Sequence, residues 1–233
     1  MTNQQPDLNK LQSLLKVKFK NPKLLLTAVT HKSYTNEDKT ATNNERLEFL
    51  GDAVLEFIVS DFLYKNFKNQ PEGNLTALRA KIVCTTSLSQ LAKRLNLGSF
   101  LRLSKGETKS GGRNNPNILA DLIEAIIGAI YLDQGLSAAY DFVYYHLLSS
   151  YQKLPDLNQI KSAKTRLQEI IQERHKLTPT YKVIKEKPDQ DAPDHFMVGV
   201  YLNDQLLGVG QGKNKKTAQE QAAQAALAKL KNQ

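Results

Sequence analysis

One cysteine, Cys84, in a chain of 233 residues excludes an intramolecular disulfide. It sits in AKIVCTTSL among apolar neighbours with no base beside it, which reads as a buried core thiol. The first 25 residues, MTNQQPDLNKLQSLLKVKFKNPKLL, hold no apolar run ending in a small-residue cleavage site. No stretch approaches the ~18 apolar residues of a membrane span. The expectation is therefore a soluble, cytoplasmic protein without a membrane segment. Internal repeats, low-complexity tracts and a basic tail are also absent. At 40% hydrophobic and 24% charged residues, the chain can build a core of ordinary globular kind.

What the chain has in excess is positive charge, +9 in all. Residues 1–155 carry 19 Lys/Arg against 14 Asp/Glu, and residues 156–233 carry 13 against 9, so both halves share the excess. A basic surface of this size points to a polyanionic partner, nucleic acid or an anionic membrane surface.

Against that background, the stretch NERLEFLGDAVLEF (44–57) is odd. At about 100° per residue, Glu45, Glu48, Asp52 and Glu56 all fall within an arc of roughly 80°. Leu47, Phe49, Leu50, Ala53, Val54, Leu55, Phe57 and Ile58 take most of the remaining circumference, the pattern of a buried helix. Stacked like charges destabilise a helix. A solvated surface stripe would intersperse bases among the acids, and Arg46 lies off the stripe. A divalent cation, which takes carboxylate oxygens, would account for the stripe.

PNILADLIEAIIGAIYLDQG (116–135) repeats the oddity. Asp121 and Glu124 share a face three residues apart, and isoleucines and leucines cover the rest. Ala125, Gly128 and Ala129 would let another helix approach closely. Taken alone, the two acids fit a satisfied structural pair equally well. Packed on the first acidic helix, they would bring Glu48, Asp52, Asp121 and Glu124 to one point. Four such carboxylates repel and raise one another's pKa without a cation. An acidic, metal-holding pocket on a basic protein suits phosphodiester hydrolysis.

The first two-thirds of the chain reads as helices. DLNKLQSLLKVKF keeps a leucine stripe, and Asn21-Pro22 opens a second helix. A polar loop spans Tyr34–Asn43, and GNLTALRAKIVCTTSLSQLAKRL is helical by spacing. KGETKSGGRNNPN reads as a mobile loop. Helices over about 117–133 and 137–151 follow, with Gly135 ending the first and Ser137 capping the second. SYQKLPDLNQIKS (150–162) is a linker. Beyond it, AKTRLQEIIQERHK is helical and TYKVIKEK, FMVGVYL and QLLGVGQ are strands, the last two joined at Asn203-Asp204. KNKKTAQEQAAQAALAKL closes an α-β-β-β-α module.

NERLEFLGDAV and ADLIEAIIGAIYLD resemble the two acidic motifs of ribonuclease III, the double-strand-specific endoribonuclease. The C-terminal module is similar to the double-stranded RNA-binding domain of that family. The resemblance implies an all-α endonuclease domain over 1–152 and a small α+β double-stranded RNA-binding domain over 160–233. It implies a divalent-metal site of Glu48, Asp52, Asp121 and Glu124, with Asp52 and Glu124 catalytic. The ion would be Mg²⁺, with Mn²⁺ as a substitute and no small-molecule organic cofactor. Glu45 and Glu72 match accessory acids. The enzyme would be a homodimer, each site cutting one strand to leave 5′-phosphate and 3′-hydroxyl ends with short 3′ overhangs. Its substrates would be ribosomal precursors and other structured transcripts. His31, in THKSY, matches a family motif but is equally explained by structural hydrogen bonds, and His146 and His175 read as ordinary helix residues.

Recognition of A-form RNA runs through 2′-hydroxyls, phosphates and helix shape. The resemblance puts Thr165, Gln168 and Glu169 at a minor-groove contact. Lys213, Lys215 and Lys216 would hold phosphates at a helix start. PDQDAPDHF resembles the family's Gly-Pro-x-His loop, which would bring His195 to a second minor groove. It departs at Ala192, in its three aspartates and in a shorter tip, and these weaken the expectation at His195. Two other readings compete: a degenerate relative that binds RNA without cutting, and a DNA nuclease. Intact acids at all four metal positions argue against the first, and the RNA-type module against the second.

Overall fold

A computed structural model describes residues 6–151, 162–187, 189 and 192–231. The chain divides into two compact units, Met1–Pro155 and Asp156–Gln233. Most of the linker expected over 150–162 lies outside the described residues.

Unit 1 is helical. Helix α1 (Leu8–Leu15) starts on the carboxylate of Asp7, and α2 (Pro22–Ala28) on the side chain of Asn21. The long α3 (Glu45–Asn66) and α7 (Pro116–Gln134) form the centre. Around them lie α4 (Glu72–Val83), α5 (Thr85–Arg94), the short α6 (Lys105–Lys109) and α8 (Leu136–His146). Leu55, Ile58, Phe62, Ile123, Ile126 and Ile130 are buried between these elements.

Small residues set how closely α3 and α7 cross. A Cβ on Gly128 would lie 2.3 Å from the Leu47 carbonyl oxygen, so backbone meets backbone there. This is the close approach expected of the Ala125–Ala129 stretch.

Five expectations need correction. α3 is not buried all round: Phe49 is 81% exposed and Tyr64 75%, with Phe57 also open to solvent. The helix expected to run through Cys84 breaks there, because Cys84 takes an extended backbone (φ −67°, ψ 154°) between α4 and α5. Its thiol is exposed, and the weak helix formers Thr85 and Thr86 follow it. Residues 105–117 are built as α6, a 3₁₀ turn at Gly112–Asn114 and the start of α7. Ser104 caps α6, and the Arg113 guanidinium donates to the carbonyls of Gly98 and Leu101, both at 2.9 Å. Finally, Gly135 (φ +85°) ends α7 and opens α8 directly, leaving Ser137 inside the helix.

In unit 2, α9 (Ala163–His175) and α10 (Lys215–Lys231) accompany an antiparallel sheet of β1 (Thr180–Glu186), β2 (Phe196–Leu202) and β3 (Gln205–Gly212) in the order β1-β2-β3. Asn203, at φ +52°, turns β2 into β3. Leu167, Ile171, Val200, Ala222, Ala223 and Ala226 form its core. The alanine face of α10 packs closely on the strands: a Cβ on Gly208 would lie 2.5 Å from the Ala222 carbonyl oxygen. The Glu220 carboxylate of α10 accepts from the Ala163 and Lys164 amides, tying the start of α9 to α10.

Candidate functional site

The Asn44 carbonyl accepts from the amides of Leu47 and Glu48, both at 2.9 Å, and so starts the first turn of α3. Glu45 and Glu48 lie in that turn, where the helix N-terminus favours negative charge. On α7, the Asn115 side chain accepts from the Asn117 amide at 3.0 Å, which places Asp121 and Glu124 on successive turns. A Cβ on Gly51 would lie 1.8 Å from the Glu124 carbonyl oxygen. The helices thus meet at the level of the acids.

At this crossing Glu48, Asp121 and Glu124 each offer a carboxylate oxygen, all within 4.8 Å of one another. All three are half-buried, and none forms an ion pair with a lysine or arginine among the described residues. Lys32, whose charge acts on both Glu48 and Asp121, pairs instead with Glu45 at 3.4 Å. Burial, then the charges of Asp52, Asp121 and Glu48, push the Glu124 carboxyl up to about 8. Burial also raises Glu48, helped by Asp121 and Glu45, and raises Asp121 against the opposing charges of His31 and Lys32. Hard carboxylate oxygens converging without an ion-pairing lysine or arginine among the described residues fit a divalent cation.

Asp52 is exposed and stands outside this trio, one turn along α3 from Glu48, yet near enough to raise Glu124. Glu45 is exposed and held by Lys32 and the Asn43 amide. Glu72, the first residue of α4, accepts from the Thr76 hydroxyl and lines a cleft with Phe57, Tyr64 and Arg79. That cleft is built by α3 and α4, and the structure does not join Glu72 to the trio. Glu56 is exposed on the same helix. His31 is buried: its Nδ1 accepts from the Ser33 amide at 3.2 Å and lies 2.9 Å from the Ser33 hydroxyl. Burial lowers its pKa. Sequence reasoning missed Lys32, although it follows His31 in the THKSY motif.

In unit 2, Thr165, Gln168 and Glu169 are exposed along α9. Lys213, Lys215 and Lys216 are exposed at the start of α10, where the Asn214 side chain accepts from the Thr217 amide at 2.9 Å. The Lys215 ammonium sits 5.3 Å from the centre of the Phe196 ring. His195 is turned inward and 6% exposed. Its Nδ1 donates to the Asp189 carbonyl at 2.8 Å, its Nε2 lies 3.5 Å from a Glu186 carboxylate oxygen, and Lys187 pairs with Asp194 beside it.

Two family models match the chain: "Ribonuclease-III-like" over residues 21–151 and "Double-stranded RNA binding motif" over residues 163–230. Ribonuclease 3 of Carboxydothermus hydrogenoformans is 44% identical over 233 residues, covering 97% of both chains. Ribonuclease 3 of Bacillus licheniformis is 46% identical over 228 residues, covering 95% of this chain and 89% of its own. Among solved structures, the nuclease domain of ribonuclease III from Campylobacter jejuni superposes with a TM-score of 0.59 at 41% identity. That likeness covers 63% of this chain and all of the neighbour, whose structure describes flexibility in a region involved in dimer formation. With both of its units matched, the chain belongs to the ribonuclease III family.

Proposed function

We propose that this chain is a metal-dependent endoribonuclease of double-stranded RNA, with Glu48, Asp121 and Glu124 holding Mg²⁺ and Asp52 completing the site at its rim. The carrying observation is the convergence of three half-buried carboxylates within 4.8 Å, none ion-paired with a lysine or arginine among the described residues. Mn²⁺, equally an acceptor of carboxylate oxygens, would substitute. A divalent ion there supplies an activated water and a counter-charge for the leaving oxygen. Asp52 and Glu124 stand nearest the chemistry in this reading. Glu48 and Asp121 fix the position of the ion, and Glu45 and Glu72 act as accessory acids. Products would carry 5′-phosphate and 3′-hydroxyl ends with short 3′ overhangs, and structured transcripts such as ribosomal precursors are the substrates.

The exposed apolar face of α3 supports a homodimer. Phe49, Phe57 and Tyr64 present aromatic surface there, and exposed apolar patches mark protein interfaces. Two sites in one dimer would cut the two strands. For RNA binding, Thr165, Gln168 and Glu169 present neutral and acidic acceptors and donors to 2′-hydroxyls. Lys213, Lys215 and Lys216 hold phosphates without reading sequence. His195, which the resemblance brings to a second minor groove, is engaged by the Asp189 carbonyl and the Glu186 carboxylate. Among the described residues no helix is long and apolar enough to cross a membrane.

The test is incubation of long double-stranded RNA with the protein, with Mg²⁺ or with EDTA, read on a denaturing gel. Cleavage in Mg²⁺ alone is the expected result. Intact RNA in Mg²⁺, with binding retained, would favour the non-cutting relative instead.

A further inference from the structure

A second concave site lies where α1, α5 and α8 meet the 3₁₀ turn Leu148–Tyr151. It is an open cleft of ≈ 760 Å³, with Lys16, Arg94, Ser87 and Gln90 among its lining residues. Pockets that hold small molecules run from about 300 to 1,000 Å³. Among the described residues no carboxylate lines it, and none of its lining residues belongs to the acidic cluster.

Two cations converge there. Lys16 ends α1 in the left-handed conformation (φ 56°), its ammonium 4.1 Å from the centre of the Tyr145 ring and hydrogen-bonded to the Tyr145 hydroxyl. Arg94, the last residue of α5, donates from Nη2 to the His146 carbonyl at 2.6 Å. Neither has a carboxylate partner among the described residues. Between them stands His146, buried at the end of α8, with Nε2 3.2 Å from the Leu15 carbonyl oxygen. A carbonyl only accepts, so Nε2 carries the proton of a neutral ring. Burial first, and the charges of Arg94 and Lys16, lower its pKa against the raising effect of the Leu15 hydrogen bond.

Helix C-termini attract cations. That explains the sign of each residue, but not two cations facing one hollow with no carboxylate partner among the described residues. The wall of α5 adds to the pattern. Ser87, Gln90 and Arg94 follow at i, i+3 and i+7, which puts them on one face. Neither Ser87 nor Gln90 makes a side-chain hydrogen bond among the described residues. Two cations without a carboxylate partner among the described residues, the side chains of Ser87 and Gln90, and the aromatic rings of Tyr144 and Tyr151 line the same hollow. Phosphate oxygens would satisfy the charges and donors, and an aromatic base would suit the rings.

We propose that this cleft binds a small phosphorylated anion of nucleotide size, its phosphates held between Lys16 and Arg94 and hydrogen-bonded by Ser87 and Gln90. The site shares no residue with the carboxylate cluster or with the lysines at the start of α10. It gives the protein a place to sense a soluble nucleotide.

The test is isothermal titration of ADP into the full chain in EDTA, so that no divalent ion bridges phosphate to the acids. Adenosine serves as the titrant lacking phosphate. ADP should bind saturably in the millimolar range or tighter, and adenosine should give no saturable heat. Lys16→Gln and Arg94→Gln, which keep a donor but lose the charge, should each weaken ADP by about tenfold, as expected for one charge-assisted hydrogen bond. Lys16 is exposed, so its variant carries the test if the arginine variant does not fold. The Lys215→Ala/Lys216→Ala protein should bind ADP as the parent does. No saturable ADP heat, equal binding of adenosine, or binding abolished only in the Lys215/Lys216 variant would each overturn the proposal.

Discussion

The backbone of Glu124 occupies the space that a side chain at Gly51 would need. A Cβ there would stand 1.8 Å from the Glu124 carbonyl oxygen and 2.9 Å from the Gly128 amide nitrogen. Backbone cannot rotate aside as a side chain can, so the helices themselves would have to separate. Gly51→Ala should therefore destabilise unit 1 by about 3 kcal/mol, the upper range for overpacking. It should also lower cleavage, because the separation acts on the residue that carries a site carboxylate. Urea unfolding and a cleavage assay on the same preparation check both parts. An unchanged midpoint would mean the crossing is looser than the structure has it.

How far the sequence made this visible depends on what each feature rests on. The acid pairs were legible because like charges in apolar helices are locally anomalous, and Gly128 because small residues cluster around it. Gly51 was not singled out, since its partner is a carbonyl on a helix far along the chain and no local pattern reports such a meeting. The break at Cys84 was hidden for a related reason, as the apolar spacing runs on through a residue whose backbone turns extended. Arg113 organises the segment after Leu103 through carbonyls of a distant turn, so glycine and lysine content alone suggested mobility. The exposed face of α3 was read as buried because apolarity does not say whether the same chain or another covers it.

That face yields the second prediction. If Phe49 and Tyr64 meet a second copy, Phe49→Ala with Tyr64→Ala should shift the protein from two chains to one in sedimentation velocity. Both side chains are largely exposed, so the isolated fold should keep its melting temperature. A variant that stays dimeric at low micromolar concentration would place the interface elsewhere.

The acid cluster gives a pH dependence of definite sign. Glu124 titrates at about 8 in the fold against 4.5 as a free side chain. Between those values the folded state holds a proton that the unfolded chain has released, so rising pH favours unfolding. Raised Glu48 and Asp121 act in the same direction. His31 and His146 are lowered and act oppositely, but only below their ordinary value of 6.5. In EDTA, then, the melting temperature should fall from about pH 7 to about pH 8. Mg²⁺ should reverse the trend by binding the ionised form. Glu124→Gln should flatten the dependence, abolish cleavage and leave RNA binding nearly intact. If that variant cuts at the parent's rate in Mg²⁺, Glu124 is no part of the metal site.

Lys215 and Lys216 begin α10, exposed, with Asn214 capping the helix beside them. A lysine that touches a phosphate displaces a condensed counter-ion from the duplex, and that release makes affinity depend on salt. Replacing both with alanine should therefore weaken binding to every RNA duplex alike. It should also make the slope of log affinity against log salt shallower by roughly one unit for each phosphate that is no longer neutralised. Thr165 and Gln168, exposed on α9, carry no charge. Their replacement should weaken binding with the slope unchanged, since a hydrogen bond to a 2′-hydroxyl releases no ion. The measurement is a salt titration of binding to one duplex, in Ca²⁺ to suppress cutting, for the parent and both double variants. A lysine variant that keeps the full slope would show that these ammoniums do not reach phosphate. The three exposed lysines would then be only the solvated start of a helix.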